Sequence, residues 1–199
     1  MPKIVDHRAR RLEISEAAAA LIANSGLQSV TIREVAKASG YSKGVIEHYF
    51  ESREALLSGA LMWANTCYEK RVAKATAGLS GIASVRKRIE STLPVNKKVR
   101  NEWKVRLVFW SMAAIDPVYR RQQEERFQKA VQHFADDIQL AITAGDIAAG
   151  EADVIARRLV NTITGISTAA LHNLSLYNKA LLLDEVDHII AGLSPRGGS

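Results

Sequence analysis

One cysteine, four prolines and no long apolar run set the first limits. Cys67 has no second cysteine to pair with, so no intrachain disulfide is possible, and a lone cysteine in an apolar helical stretch reads as a small buried hydrophobe rather than a nucleophile. The longest apolar run, residues 17–23, is mostly alanine and far short of the roughly 20 residues that span a bilayer. Residues 1–11 carry Lys3, Arg8, Arg10 and Arg11 but no apolar segment followed by a small-residue cleavage site, so a cytoplasmic location is expected. Scarce prolines, the absence of Asn-Gly or Asp-Gly pairs, and the absence of two-residue alternation argue against a sheet. No Gly-x-Ser-x-Gly, phosphate-binding loop or His-x-x-x-His motif occurs. His7, His48, His133, His172 and His188 are scattered, so no catalytic residue, metal or cofactor is expected.

What is present fits an all-α chain. With 199 residues, 47% hydrophobic and 24% charged, the chain resembles an ordinary globular protein with a sizeable core. The net charge of +6 is uneven: residues 1–100 hold 17 Lys and Arg against 9 Asp and Glu, the remainder 10 against 12. The basic half is the candidate for a polyanionic partner, although a solvated basic face looks the same.

Apolar periodicity predicts about nine helices. The first, over residues 5–24, places Ile14, Ala17, Ala18, Leu21 and Ile22 on one stripe and ends near Gly26. A short second helix opens at Thr31 with capping-box spacing to Glu34 and buries Ile32, Val35 and Ala36 before Gly40. Ser42 caps a third, carrying Val45, Ile46, Tyr49 and Phe50. A long helix follows over residues 53–77, then a basic helix to about Leu93, and a charged connector over 94–101. Helices over 102–115 and from Asp116-Pro117 to Gly145 come next, then two more over 151–172 and 181–191.

The strongest local signal is residues 31–50, two short helices joined by a tight turn at Gly40. Glycine permits positive φ there, and Ala36 lets the helices approach closely. Spacing alone fits an αα-corner equally well. The outward chemistry favours a helix-turn-helix: Arg33, Lys43, His48 and Arg53 are donors, and Thr31, Ser42 and Tyr49 are hydroxyls of the kind that position phosphates.

The runs Thr31-Ile-Arg-Glu-Val-Ala, Ser39-Gly-Tyr-Ser-Lys-Gly-Val-Ile-Glu-His-Tyr-Phe50 and Glu51-Ser-Arg-Glu-Ala-Leu-Leu57 resemble the N-terminal signature of the TetR-type transcriptional repressors. The resemblance implies a DNA-binding domain over 1–52, and a helical ligand-binding and dimerisation domain over 53–199. It also implies a double-stranded operator as partner and a homodimer joined through the last two helices. Operator contacts are implied at Thr31, Arg33, Ser42, Lys43, Gly44, Val45, His48, Tyr49 and Arg53. Arg33 and Lys43 suit guanine O6 and N7. Glu47 either accepts from a cytosine amino group or pairs with Lys43 one turn earlier. Arg8, Arg10 and Arg11 form either an arm toward DNA or a solvated helix start.

From Trp103 onward, Trp103, Phe109, Trp110, Asp116-Pro117, Tyr119-Arg120, the Ala144-Gly145-Asp146-Ile147 segment, Arg158-Leu159 and Gly165 are similar to the branch that includes the choline-responsive repressor of betaine synthesis. That implies a small-molecule effector. Trp63, Trp103, Leu107 and Trp110 are its candidate lining, with plain core as the alternative, and two indole faces suit a quaternary ammonium such as choline. Surplus apolar surface on the last two helices, at Leu159, Ile163, Ile166, Val186 and Ile190, is the expected two-fold interface. An enzyme or a partner-binding scaffold would leave the chemistry of residues 31–53 unexplained.

Overall fold

A computed structural model describes residues 6–194. The beginning of the first helix at Val5, and Lys3, lie outside the described residues. Among those described there are only helices: α1 (His7–Ser25), α2 (Ile32–Ser39), α3 (Lys43–Tyr49), α4 (Arg53–Thr76), α5 (Gly81–Thr92), α6 (Lys97–Ala113), α7 (Pro117–Ala144), α8 (Ala152–His172) and α9 (Lys179–Leu193), with a one-turn 3₁₀ helix at Leu27–Ser29. The backbone forms two compact units. Residues up to 67 with 101–112 make the first, and 68–100 with 113 onward make the second.

In the first unit, α1 starts where the Asp6 carboxylate accepts from the Arg8 and Ala9 amides at 3.0 and 2.9 Å. It buries Ile14, Ala18 and Ile22, one stripe at four-residue intervals. Gly26, at φ 80°, ends it. From α4, Leu56, Leu57, Ala60 and Ala64 are buried. The middle of α6 packs in this unit too: the Lys104 ammonium donates to the Ala23 carbonyl at 3.1 Å, supplying a cation to the C-terminal end of α1.

The second unit is built on one apolar cluster. Val85 and Ile89 of α5 with Leu93 just after it, Phe134 and Ile138 of α7, Leu159, Val160 and Ile163 of α8, and Leu182 and Val186 of α9 are all buried in it. Each such aliphatic or aromatic side chain contributes about 1.5–3 kcal/mol on burial. One ion pair ties α5 to α7 at the cluster's edge, with two Arg88 nitrogens donating to a single Asp137 oxygen at 3.0 and 2.8 Å. Asp116 caps α7 with Pro117 in its first turn, and Gly145 ends it in the left-handed conformation at φ 81°. No described helix is long and apolar enough to cross a membrane.

Three expectations need correction. The charged connector is shorter than its composition suggested, because Asn96 accepts from the Val99 amide at 3.1 Å and starts α6 at Lys97. Burial of Val99 pulls Lys97, Lys98 and Arg100 into helix despite their charge. The last helix likewise begins earlier, at Lys179, where Asn178 caps it by accepting from the Leu181 amide. Finally, Leu159, Ile163 and Val186 face this chain's own core, at 4%, 2% and 0% exposure, so they offer no surface to a partner. Ile166 and Ile190 are only partly buried against that core. The outward stripe of α8 is instead Arg158, Thr162 and Gly165, exposed at helical spacing, with Ala169 half-buried next along it.

An open groove of about 630 Å³ lies between the α7–α8 loop, the start of α8 and the end of α9, lined among others by Ile155, Arg158, Thr162 and His188. The His188 Nδ1–H donates to the Asp184 carbonyl at 2.9 Å. That bond, followed by the charges of Asp184, Glu185 and Asp187, raises its pKa above the usual histidine range. A raised folded-state pKa stabilises the fold fully below the unfolded histidine pKa, and the contribution is lost as pH rises through the folded-state value. An NMR titration is expected to place the His188 midpoint above that of a free histidine. Asp184→Asn should lower it only in part, since the carbonyl bond survives; a midpoint indifferent to Asp184→Asn would contradict this assignment.

Candidate nucleic-acid interface

The helix-turn-helix is specified locally. Thr31 Oγ1 accepts from the Glu34 amide at 3.1 Å and starts α2. Gly40, at φ 73° and ψ 11°, ends it in the left-handed conformation that glycine adopts without strain. Ser42 Oγ then accepts from the Val45 amide at 3.3 Å and starts α3. Val35, Ala36 and Ile46 are buried, holding the two helices together and leaving the opposite faces to solvent. In both caps the hydroxyl oxygen accepts, so each hydroxyl proton stays available for donation.

Thr31, Arg33, Ser42, Lys43, Gly44, Glu47 and His48 are exposed on these helices, while Val45 and Tyr49 are half-buried. Lys43 pairs with Glu47 at 3.3 Å, the one-turn pairing that the spacing allows. Both side chains are largely exposed, so the pair adds about 0–1 kcal/mol and yields readily to a stronger partner.

Arg53 is placed differently from a free phosphate donor. Its Nε donates to the Val30 carbonyl at 2.9 Å and one Nη to the Leu27 carbonyl at 2.7 Å. The guanidinium thereby pins the 3₁₀ turn and the entry to α2.

Sequence reasoning treated the arginines at the start of α1 as one group; the structure separates them. Arg11, exposed on α1, reaches the end of α3, its Nη1 donating to the Tyr49 carbonyl at 2.6 Å and its guanidinium lying 4.4 Å from the centre of the Phe50 ring. Arg10 lies over the Tyr41 ring at 5.2 Å, and the Tyr41 hydroxyl donates to the Glu13 carboxylate. His7, given no role from sequence, hydrogen-bonds Tyr49 at the end of α3. No periodicity signals that contact, because its partners are 42 residues apart.

Of the tryptophans, Trp63 and Trp103 are buried, Trp110 and Leu107 half-buried, and all four belong to the first unit. Trp103 and Trp110 meet edge to face, with centroids 5.6 Å apart and planes at 88°. The Arg106 guanidinium lies 5.4 Å from the Trp103 centroid, so a cation already stands against that ring.

Two family models match this chain. Residues 14–60 match the bacterial regulatory proteins of the TetR family, and residues 82–194 match the C-terminal domain of BetI-type transcriptional repressors. The chain belongs to the TetR family. Among curated TetR-family relatives, it is 32% identical over 130 residues to the HTH-type transcriptional regulator BetI 1 of Chromohalobacter salexigens, a match spanning 62% of each chain. It is 30% identical over 129 residues to BetI of Paraburkholderia phymatum, covering 62% of this chain and 64% of that one. Among solved structures, a transcriptional regulator from Saccharomonospora viridis in complex with choline superposes at a TM-score of 0.83 with 23% identity, covering 95% of this chain and all of that one. A Rhodococcus regulator superposes at 0.78 with 22% identity, covering 92% and 95%. These structural likenesses establish the TetR-family helical fold.

Proposed function

We propose that this chain is a homodimeric repressor that reads an inverted-repeat operator with α3 and is released from it by a small-molecule effector. It acts in the cytoplasm and catalyses no reaction. The observation that carries the reading is the exposed set Thr31, Arg33, Ser42, Lys43 and His48, displayed on two capped helices whose other faces are buried. Arg33 and Lys43 read base edges; Thr31, Ser42, Gly44, His48 and Tyr49 position the backbone, and Val45 meets a thymine methyl. Arg53 serves first by fixing the turn before α2.

The effector is a quaternary ammonium such as choline, held near Trp63, Trp103, Leu107 and Trp110. Support comes from the BetI-type C-terminal match and the choline carried by the solved S. viridis regulator. A 100-fold loss of operator affinity needs about 2.7 kcal/mol of differential ligand binding between two states, within the usual range of coupling. The two-fold mate docks on the outward stripe of α8 through Thr162, Gly165 and Ala169, with Ile166 and Ile190 at its margin.

Gel shifts with DNA flanking the gene, with and without choline, test the reading as a whole. Arg33→Ala and Lys43→Ala are each expected to weaken specific binding by about 1–3 kcal/mol per lost base contact while sparing non-specific binding. Equal losses on operator and random duplex would show that neither side chain reads a base.

A further inference from the structure

Where α1 begins, His7 and Arg10, neither of them among the expected operator contacts on α2 and α3, close one side of a cavity whose other side those contacts form. The cavity is open, of about 370 Å³, and is lined by His7 and Arg10 from α1 and by Ser42, Gly44, Val45, His48 and Tyr49 around α3. Its ionisable side chains include an arginine and two imidazoles, and among the described residues no carboxylate lines it. Three acids on the same helices are engaged elsewhere: Asp6 caps α1, Glu13 accepts from Tyr41, and Glu47 pairs with Lys43. Two rings fix its floor. His48 and Tyr49 meet edge to face at 5.1 Å, and His7 stands 5.7 Å from the Tyr49 ring with its Nδ1 2.8 Å from the hydroxyl.

We infer that this cavity seats one backbone phosphate of the operator, with His7 and Arg10 as ligands alongside His48 and Tyr49, so that α1 is part of the DNA interface. The inference rests on the operator-reading function proposed above. A phosphodiester carries one negative charge on two oxygens, and a basic cavity walled by hydroxyl and imidazole donors matches it. Arg10 stands over the Tyr41 ring and hydrogen-bonds its side chain, and no ion pair among the described residues holds it, so a phosphate competes with a neutral partner and not with a salt bridge.

His7 also decides what Tyr49 can do. The hydroxyl has one proton, and when His7 Nδ1 accepts it nothing remains for a phosphate. When His7 instead presents Nδ1–H, Tyr49 accepts from His7 and turns its own proton toward the phosphate oxygen. The neutral Nδ1–H tautomer suffices, so the exchange needs no net proton uptake. His7 is thus both a wall of the cavity and the residue that orients Tyr49.

The test compares wild type, His7→Ala, Arg10→Ala, Tyr49→Phe and the His7→Ala/Tyr49→Phe double variant. Each is titrated on the native operator and on duplexes bearing one neutral methylphosphonate at successive positions. All three positions lie at the surface or partly so, and melting curves check that the variants fold. On native operator each single variant is expected to lose roughly tenfold in affinity, the scale of one charge-assisted hydrogen bond. At one methylphosphonate position per half-site those losses should vanish, and the double variant should lose little more than His7→Ala alone. Inorganic phosphate, at matched ionic strength, should displace DNA no better than chloride. Losses that persist at every methylphosphonate position, full affinity in His7→Ala, or selective competition by inorganic phosphate would each overturn the assignment while leaving operator reading intact. Failure of the wild type to bind any flanking DNA would instead strike the proposed function itself.

Discussion

Replacing Gly165 with arginine is expected to split the proposed dimer and abolish operator binding while leaving each chain folded. Gly165 is exposed, and a Cβ there meets nothing within 4 Å beyond its own stretch of helix, so a side chain can leave the helix into solvent. Helix propensity even improves, by up to about 1 kcal/mol relative to glycine. The small side chains of Thr162, Gly165 and Ala169 would let a second helix lie close along this stripe, and an arginine at its centre prevents that approach. Loss of the fixed spacing between two recognition helices should take operator affinity down by about 10³-fold or more, toward the non-specific level. Ile163→Asp is the contrasting variant: at 2% exposure it puts a charge into the second unit's core, so it should unfold the chain rather than dissociate it. Sedimentation at micromolar concentration, with circular dichroism, separates the two outcomes. A Gly165→Arg chain that stays dimeric and bound would place the interface elsewhere.

The second large effect is expected at Gly59 in α4. A Cβ there would lie 2.7 Å from Phe50 Cε1 and 2.8 Å from Ser15 Oγ, closer than carbon atoms tolerate. Phe50 is 1% exposed and terminates α3, and Arg11 covers its ring, so it has nowhere to retreat without moving the recognition helix. Gly59→Val should therefore destabilise the first unit by about 1–3 kcal/mol through overpacking, and weaken operator binding with it. Ser15→Gly in the same chain removes one of the two clashes and should recover part of the loss. Retention of wild-type melting by Gly59→Val would mean that Phe50 repacks freely.

How much of this was readable beforehand follows a physical division. Capping and turn chemistry is local, so Thr31, Gly40, Ser42, Asp116-Pro117 and Gly145 mark element ends where the helices do begin and stop. Asn96 and Asn178 carry the same kind of signal, yet charge beside the first and loop-like composition before the second obscured them. Direction was harder. A wide apolar arc on α8 and α9 says that more than one face is covered, but not which face meets this chain and which a partner, so Leu159, Ile163 and Val186 were placed outward when the core takes them. Contacts distant in sequence left no trace: the bonds from His7 to Tyr49 and from Arg11 to the Tyr49 carbonyl join residues about forty positions apart.

The two caps of the helix-turn-helix restrict how this protein can drift. For the helices alone, aspartate or asparagine would start α2 and α3 as well as Thr31 and Ser42 do. A carboxylate would turn the same position against a polyanion, and an asparagine would replace a freely rotating proton with a fixed amide plane. A hydroxyl accepts from the helix and donates from the same atom with a proton free to rotate, whereas a carboxylate can only accept. The substitutions open to these sites are therefore narrower than either folding or recognition would impose separately, and threonine and serine can exchange with one another where aspartate cannot enter.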